Sequence, residues 1–150
     1  MSYTKILYHI IFRPKDSRPV INTEHEEMLY RYIWGFVKAK GAVLYRIGGM
    51  PDHIHLFVQL PATIAVADFV RDMKVSASKY MKEHKSEFPL FDAWAKSYCA
   101  LSYSESEKDS VINYIRNQKQ HHSRISLRDE LLSLLQEQKI NVDMSHFLDE

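Results

Sequence analysis

The stretch Val43-Leu44-Tyr45-Arg46-Ile47-Gly48-Gly49-Met50-Pro51-Asp52-His53-Ile54-His55-Leu56-Phe57-Val58-Gln59-Leu60 reads as two strands and a turn. Val43, Tyr45 and Ile47 recur at every second position, the period of a strand. Gly48 to Asp52 supplies the glycine and proline chemistry of a chain reversal, and His53 to Leu60 is a second run of β-forming residues, so the pair predicts an antiparallel hairpin. In that second run His53 and His55 fall on one face, Ile54, Leu56 and Val58 on the other. The apolar face demands burial under helices, which turns both imidazoles toward whatever covers the opposite side of the sheet.

Working outward, Tyr3 to Arg13 alternates as a further strand, with Ile6, Tyr8, Ile10 and Phe12 on one side and Lys5, His9 and Arg13 on the other. After a polar loop from Pro14 to Pro19, Thr23 is a candidate N-cap for a helix carrying Leu29, Ile33, Phe36 and Val37 and closing at Gly41. Beyond the hairpin, Thr63 is the cap candidate of a long helix with Val66, Phe69, Val70, Met73, Ala77, Tyr80 and Met81 at helical spacing. Trp94 to Ser102 predicts a fourth strand. Ser104 with Glu107 forms a capping box for a helix over about 105–122, and Leu127, Leu131, Leu134 and Leu135 mark a last helix over about 126–140. The order β-α-β-β-α-β followed by two helices predicts an α+β, ferredoxin-like antiparallel sheet with two additional C-terminal helices. No linker or repeat divides the chain, so one domain is expected over 1–150.

The 150 residues and 45% apolar content suffice for a hydrophobic core. With 20 basic against 19 acidic residues, bulk charge gives no signal for nucleic acid, and any basic surface must be local. The single Cys99 excludes an intramolecular disulfide and a cysteine-built zinc cluster. Without a signal-peptide core or an apolar run of about 20 residues, a soluble cytoplasmic protein with no membrane association is expected.

Two histidines hold a divalent ion too weakly alone, and the best candidate for a third donor lies in Tyr114-Ile115-Arg116-Asn117-Gln118. Tyr114 and Gln118 are i and i+4 neighbours on one helix face, so a helix packed toward the histidines offers an amide oxygen to an ion and a phenol to a phosphate. A free tyrosine ionises at about pH 10, so attack near neutrality needs proton removal or electrostatic stabilisation. The sequence alone identifies no general base. Attack through the tyrosine oxygen on a phosphodiester would leave a phosphotyrosine and a free hydroxyl, so rejoining needs no nucleotide cofactor.

Taken together, Tyr8-His9-Ile10-Ile11-Phe12-Arg13-Pro14-Lys15, Gly48 to Leu56, and Tyr114 to Gln118 continuing through His121-His122 resemble the single-tyrosine HUH transposases of very small bacterial insertion sequences and their repeat-associated relatives. The resemblance covers nearly the whole chain. It implies Mg or Mn on His53, His55 and Gln118, and Tyr114 as nucleophile of a 5'-phosphotyrosine intermediate. It further implies single-stranded and hairpin DNA as partners, and a homodimer, with the tyrosine helix serving either the histidines of its own chain or those of the partner. Ser97 and Cys99 stand where relatives often have glycine.

His121 and His122 lie three and four positions beyond Gln118 and are auxiliary candidates as ligand, phosphate contact or proton carrier. Asp52 shapes the turn and is a candidate acceptor for a histidine. For a DNA backbone track the candidates are Lys5, Arg13, Lys15, Arg46, Arg71, Lys74, Lys82 and Lys85, against the simpler alternative of solvated surface. Alternatives to the transposase are a domesticated hairpin-DNA-binding protein of the same fold without turnover, and a metal-dependent phosphoesterase in which water attacks.

Overall fold

The computed structural model describes residues 1–149. Four strands, β1 (Ile6–Phe12), β2 (Val43–Met50), β3 (His53–Leu60) and β4 (Cys99–Tyr103), form an antiparallel sheet in the order β2-β3-β1-β4. Helices α1 (Glu26–Ala39) and α2 (Val66–Glu83) make the two crossovers, which gives the ferredoxin-like β-α-β-β-α-β order. After β4 come α3 (Lys108–Arg116), the single turn α4 (Gln118–His121) and α5 (Leu127–Glu137).

Strand parity sorts the side chains into two cores. Ile10 and Phe12 of β1 and Ile54, Leu56 and Val58 of β3 are buried with α1 and α2, in the larger core. On the reverse face Leu7 and Phe57 pack with Val111 and Ile115 of α3, while Ile11 and Leu101 pack with Leu127, Leu131 and Leu134 of α5. The sheet therefore lies between two helical layers, and the histidine face is the one covered by the C-terminal helices. For this reason His9, expected on a polar side of β1, is buried.

Several local expectations change. In β2, Leu44 pairs with Val58 and Arg46 with Phe57, so Tyr45 is the extra residue of a β-bulge. Leu44 and Ile47 consequently share the α1/α2 core, and Tyr45 turns to the other face beside Phe57, breaking the simple alternation of Val43, Tyr45 and Ile47. The hairpin turn is also tighter than expected. Gly48, Gly49 and Met50 remain paired with His55, Ile54 and His53, leaving only Pro51 and Asp52 to reverse the chain.

Thr23 does not cap α1, which starts at Glu26 after a turn in which the Asn22 side chain accepts from the His25 amide at 2.9 Å. Thr63 lies too early to cap α2, since Ile64 closes a turn onto the Pro61 carbonyl and Ala65 takes the N-cap position. β4 begins at Cys99 rather than Trp94. Lys74 holds the carbonyls of Ala95, Lys96 and Ser97 away from the ladder, while Trp94 forms an isolated bridge to Pro14. The helix expected over 105–122 is interrupted. A 3₁₀ turn over Glu105–Glu107, capped by Ser104 and Glu107 as expected, leads into α3, and Asn117 with φ −95° and ψ 19° separates α3 from α4.

Candidate metal and nucleophile site

His53 and His55 open β3, both fully buried, opposite Met50 and Gly48 of β2. Helix α3 crosses β2 closely at Gly48. A Cβ on Gly48 would stand 2.9 Å from the Ile115 carbonyl oxygen, a separation a side chain cannot hold, so the glycine is what allows the tyrosine helix to settle onto the histidine strand. Tyr114 then lies with its ring 5.9 Å from that of His55 and 6.0 Å from that of His9. The Tyr114 helix and the histidine face of the sheet, which must meet for the site to exist, meet within one chain.

A residue from outside the expected set stands at the centre. Glu130 of α5 is 1% exposed and divides its carboxylate between two sets of partners. Its Oε1 lies 2.8 Å from His122 Nε2, 3.3 Å from His55 Nε2 and 3.4 Å from His53 Nε2. Its Oε2 accepts from the Tyr114 hydroxyl and, at 2.8 Å, from the Gln118 amide. The Gln118 amide oxygen faces His53 Nε2 at 3.0 Å, so Gln118 bridges histidine and carboxylate. His121 stands at the margin, 3.6 Å from Glu130 Oε2.

The other nitrogen of each histidine is engaged from behind. Nδ1 of His53 meets the Asp52 carboxylate at 2.7 Å, Nδ1 of His55 meets His9 Nε2 at 2.7 Å, and Nδ1 of His122 meets the Ile125 carbonyl at 2.8 Å. Such outer partners fix ring orientation in metal sites and leave Nε2 to face the ion. Asp52 thus serves both the turn and His53.

Burial dominates the electrostatics, and charge partners decide its outcome. Burial pulls His53 down, but Asp52 and Glu130 outweigh it and hold the imidazole up to about 9. His55, fully desolvated, drops to about 4 despite Glu130, and burial with the neighbouring His55 likewise lowers His9. Burial would raise Glu130, yet the imidazoles of His122, His53 and His55 gathered around it bring it far below the carboxylate range. Tyr114 is pushed up, first by burial and then by its bond to Glu130.

These residues fit a divalent cation. One donor atom from each of His53, His55, His122 and Glu130 lies within 4.8 Å of all the others, close to the span of ligands about 2.1 Å from a shared ion. His55 Nε2 is buried without a hydrogen-bond partner, as a nitrogen awaiting a further electrophile would be.

The basic residues do not form one track around this centre. Arg71, Lys74, Lys82 and Lys85 belong to α2 or its end, in the helical layer on the far face of the sheet. There Arg71 pairs with Asp68 and Asp72, and Lys74 is turned to the carbonyls of 95–97. Lys5 pairs with Glu105, Arg13 is 4% exposed beside Ser17, and Lys15 is exposed. Arg46 lines a groove of about 330 Å³ that also includes Arg116, Gln118 and Lys119.

Asp52 takes the expected role of acceptor for His53, whereas the sequence assigns no site role to Glu130 or His9. Glu130 left one trace: it sits in the buried stripe of Leu127, Leu131 and Leu134, where an acid needs a charged or hydrogen-bonding partner. Nothing in the sequence said which.

Residues 2–118 match the family model described as Transposase IS200 like. The chain belongs to the IS200-like transposase family. Among its relatives, the ISDra2 transposase TnpA of Deinococcus radiodurans is 27% identical over 115 residues, spanning 74% of this chain and 82% of that protein. A solved structure described as a transposase of the same organism superposes with a TM-score of 0.62 at 26% identity, covering 78% of this chain and 93% of that one. A REP-associated tyrosine transposase bound to a REP hairpin shares the fold, with a TM-score of 0.62 at 15% identity over 83% of this chain and 73% of that one. The family match ends at Gln118, so this IS200-like transposase brings His122 and Glu130 into its site from beyond the matched segment. Among the described residues, no helix is long and apolar enough to cross a membrane.

Proposed function

We propose that this IS200-like transposase cleaves and rejoins single-stranded DNA at hairpin-bearing ends of an element, with Tyr114 as the attacking group. The observation that carries the proposal is the placement of the Tyr114 hydroxyl on a buried carboxylate whose other oxygen faces His53, His55 and His122. A nucleophile, a proton acceptor and a cluster of cation ligands thereby share one centre. When bound, a divalent ion such as Mg or Mn supplies Lewis-acid polarisation of the scissile phosphate and charge for the departing oxygen.

The chain's own groups do the rest. Glu130 Oε2 is placed to take the phenolic proton as the Tyr114 oxygen bonds to phosphorus and the bond to the deoxyribose 3'-oxygen breaks; that proton then passes to the departing 3'-oxygen, giving a 5'-phosphotyrosine and a free 3'-hydroxyl. Attack by a DNA hydroxyl on that linkage reverses the chemistry and restores the phenol. His53 and His55 are oriented by Asp52 and His9, and Gln118 keeps His53 and Glu130 in register. The tyrosine and the histidines meet within one chain, and we place the single catalytic domain within 1–150.

The test is a covalent adduct. Incubation with hairpin oligonucleotides from the ends of the element and Mg²⁺ or Mn²⁺ should give a denaturant-resistant protein-DNA species that Tyr114→Phe abolishes. Absence of the species with authentic ends would sink the proposal. A second reading, a domesticated hairpin-binding protein without turnover, draws on the complete burial of His53 and His55 beneath the C-terminal helices. It predicts hairpin binding unchanged in Tyr114→Phe and no cleavage with either ion.

A further inference from the structure

The C-terminal helix α5 makes no claim on a ligand by its pattern, yet its one buried acid is drawn to the middle of the histidine cluster. Leu127, Leu131 and Leu134 anchor the helix on Ile11 and Leu101, and Ser126 caps it by accepting from the Asp129 amide at 3.2 Å. That docking brings Glu130 to within 3.4 Å of three imidazole nitrogens. His122, in the loop that leads to α5, is fixed by its bond to the Ile125 carbonyl, so both groups depend on how 118–130 folds over the sheet.

Charge explains why this matters. His53, His55 and Gln118 are all neutral donors when they hold a cation, which would leave a full double positive charge in a buried site. A carboxylate offsets half of it and is the donor type that hard divalent ions prefer. Gln118, meanwhile, has its amide oxygen on His53 and its amide nitrogen on Glu130, the geometry of a group that orients two ligands.

Resting on the proposed transposase site, we infer that Glu130 and His122 are ligands of the divalent cation beside His53 and His55, and that cation binding and docking of α5 are one coupled event. Glu130 contributes the anionic donor through Oε1 while Oε2 retains Tyr114. The C-terminal segment beyond the family match then completes the centre rather than merely covering it. A cation bound to the histidines draws α5 down, and loss of α5 docking weakens the cation.

The experiment uses the full chain with Mn²⁺ as the probe, following the quenching of its free-ion electron paramagnetic resonance signal and, separately, amide hydrogen exchange. Glu130→Gln keeps shape and removes charge, and it should weaken Mn²⁺ by at least about tenfold. A folded Glu130→Gln protein that binds Mn²⁺ as tightly as the parent overturns the inference. His122→Ala should also weaken the ion, and unchanged affinity would remove His122 from the ligand set. Should either variant fail to fold, the unmodified protein decides the matter: saturating Mn²⁺ should slow exchange across 127–137, and unchanged exchange there refutes the coupling. His53→Ala separates the two levels of the argument. If it keeps parental affinity, the histidine site of the proposed function itself fails, whereas loss in His53→Ala with retention in Glu130→Gln removes only the role of Glu130.

Discussion

The Tyr114 hydroxyl donates to Oε2 of Glu130, joining the third and fifth helices across the buried face of the sheet. One carboxylate therefore ties the attacking group to the histidines, because its other oxygen lies 3.3 Å from His55 Nε2.

Removing the hydroxyl should have two separable effects. Tyr114→Phe is expected to eliminate the covalent DNA adduct, since it removes the hydroxyl that stands on Glu130 Oε2. Stability should fall by only about 1–2 kcal/mol in urea denaturation, because Gln118 continues to satisfy that oxygen. A loss well above this would mean that the tyrosine is chiefly structural.

Gly48→Ala tests the close crossing of α3. The added methyl meets the Ile115 carbonyl at 2.9 Å, so α3 must lift and carry Tyr114 with it. The expected cost is about 1–3 kcal/mol, with far-ultraviolet circular dichroism retained and strand cleavage reduced far more than folding. Parental cleavage rates in this variant would show that the approach at Gly48 does not set the tyrosine.

Leu131→Ala opens the contact by which α5 holds to Ile11 and Leu101. Leu131 is 6% exposed, and truncation there should cost about 2–5 kcal/mol. Amide exchange should accelerate in 127–137 before it does in β1 or β3. Uniform acceleration throughout the chain would instead make α5 part of one cooperative unit with the sheet.

Cys99 offers a check on the reverse-face core that is independent of catalysis. Burial pushes its thiol up to about 11, so at pH 8 only about a thousandth is thiolate, against roughly a quarter for a free cysteine. Alkylation by iodoacetamide should run more than about a hundredfold slower in the native protein than in the urea-unfolded chain. Equal rates would mean that the segment around β4 opens freely.

Much of the architecture was legible because strand parity and helical spacing are local properties. The run Ile54, Leu56, Val58 named its own buried face, and His53 with His55 named the other. The bulge at Tyr45 escaped, because it is decided by how β2 pairs with β3 and not by alternation within β2. The late start of β4 escaped for a similar reason: Lys74, some twenty residues upstream, holds the 95–97 carbonyls away from the ladder.

At the site, sequence by itself determined the chemistry on offer: two imidazoles on one strand face, and a tyrosine and a glutamine one helical turn apart. Those relations follow from repeat distances of about two and 3.6 residues, which any strand or helix imposes. What only the tertiary structure decided is that α3 reaches the histidines within the same chain and that Glu130 joins them. Burying the leucine stripe of α5 against Ile11 and Leu101 forces the acid beside Leu131 under the sheet, where the imidazoles are the partners that compensate its charge. Packing of distant segments, which no local spacing encodes, thus joined the tyrosine and the histidines into one centre.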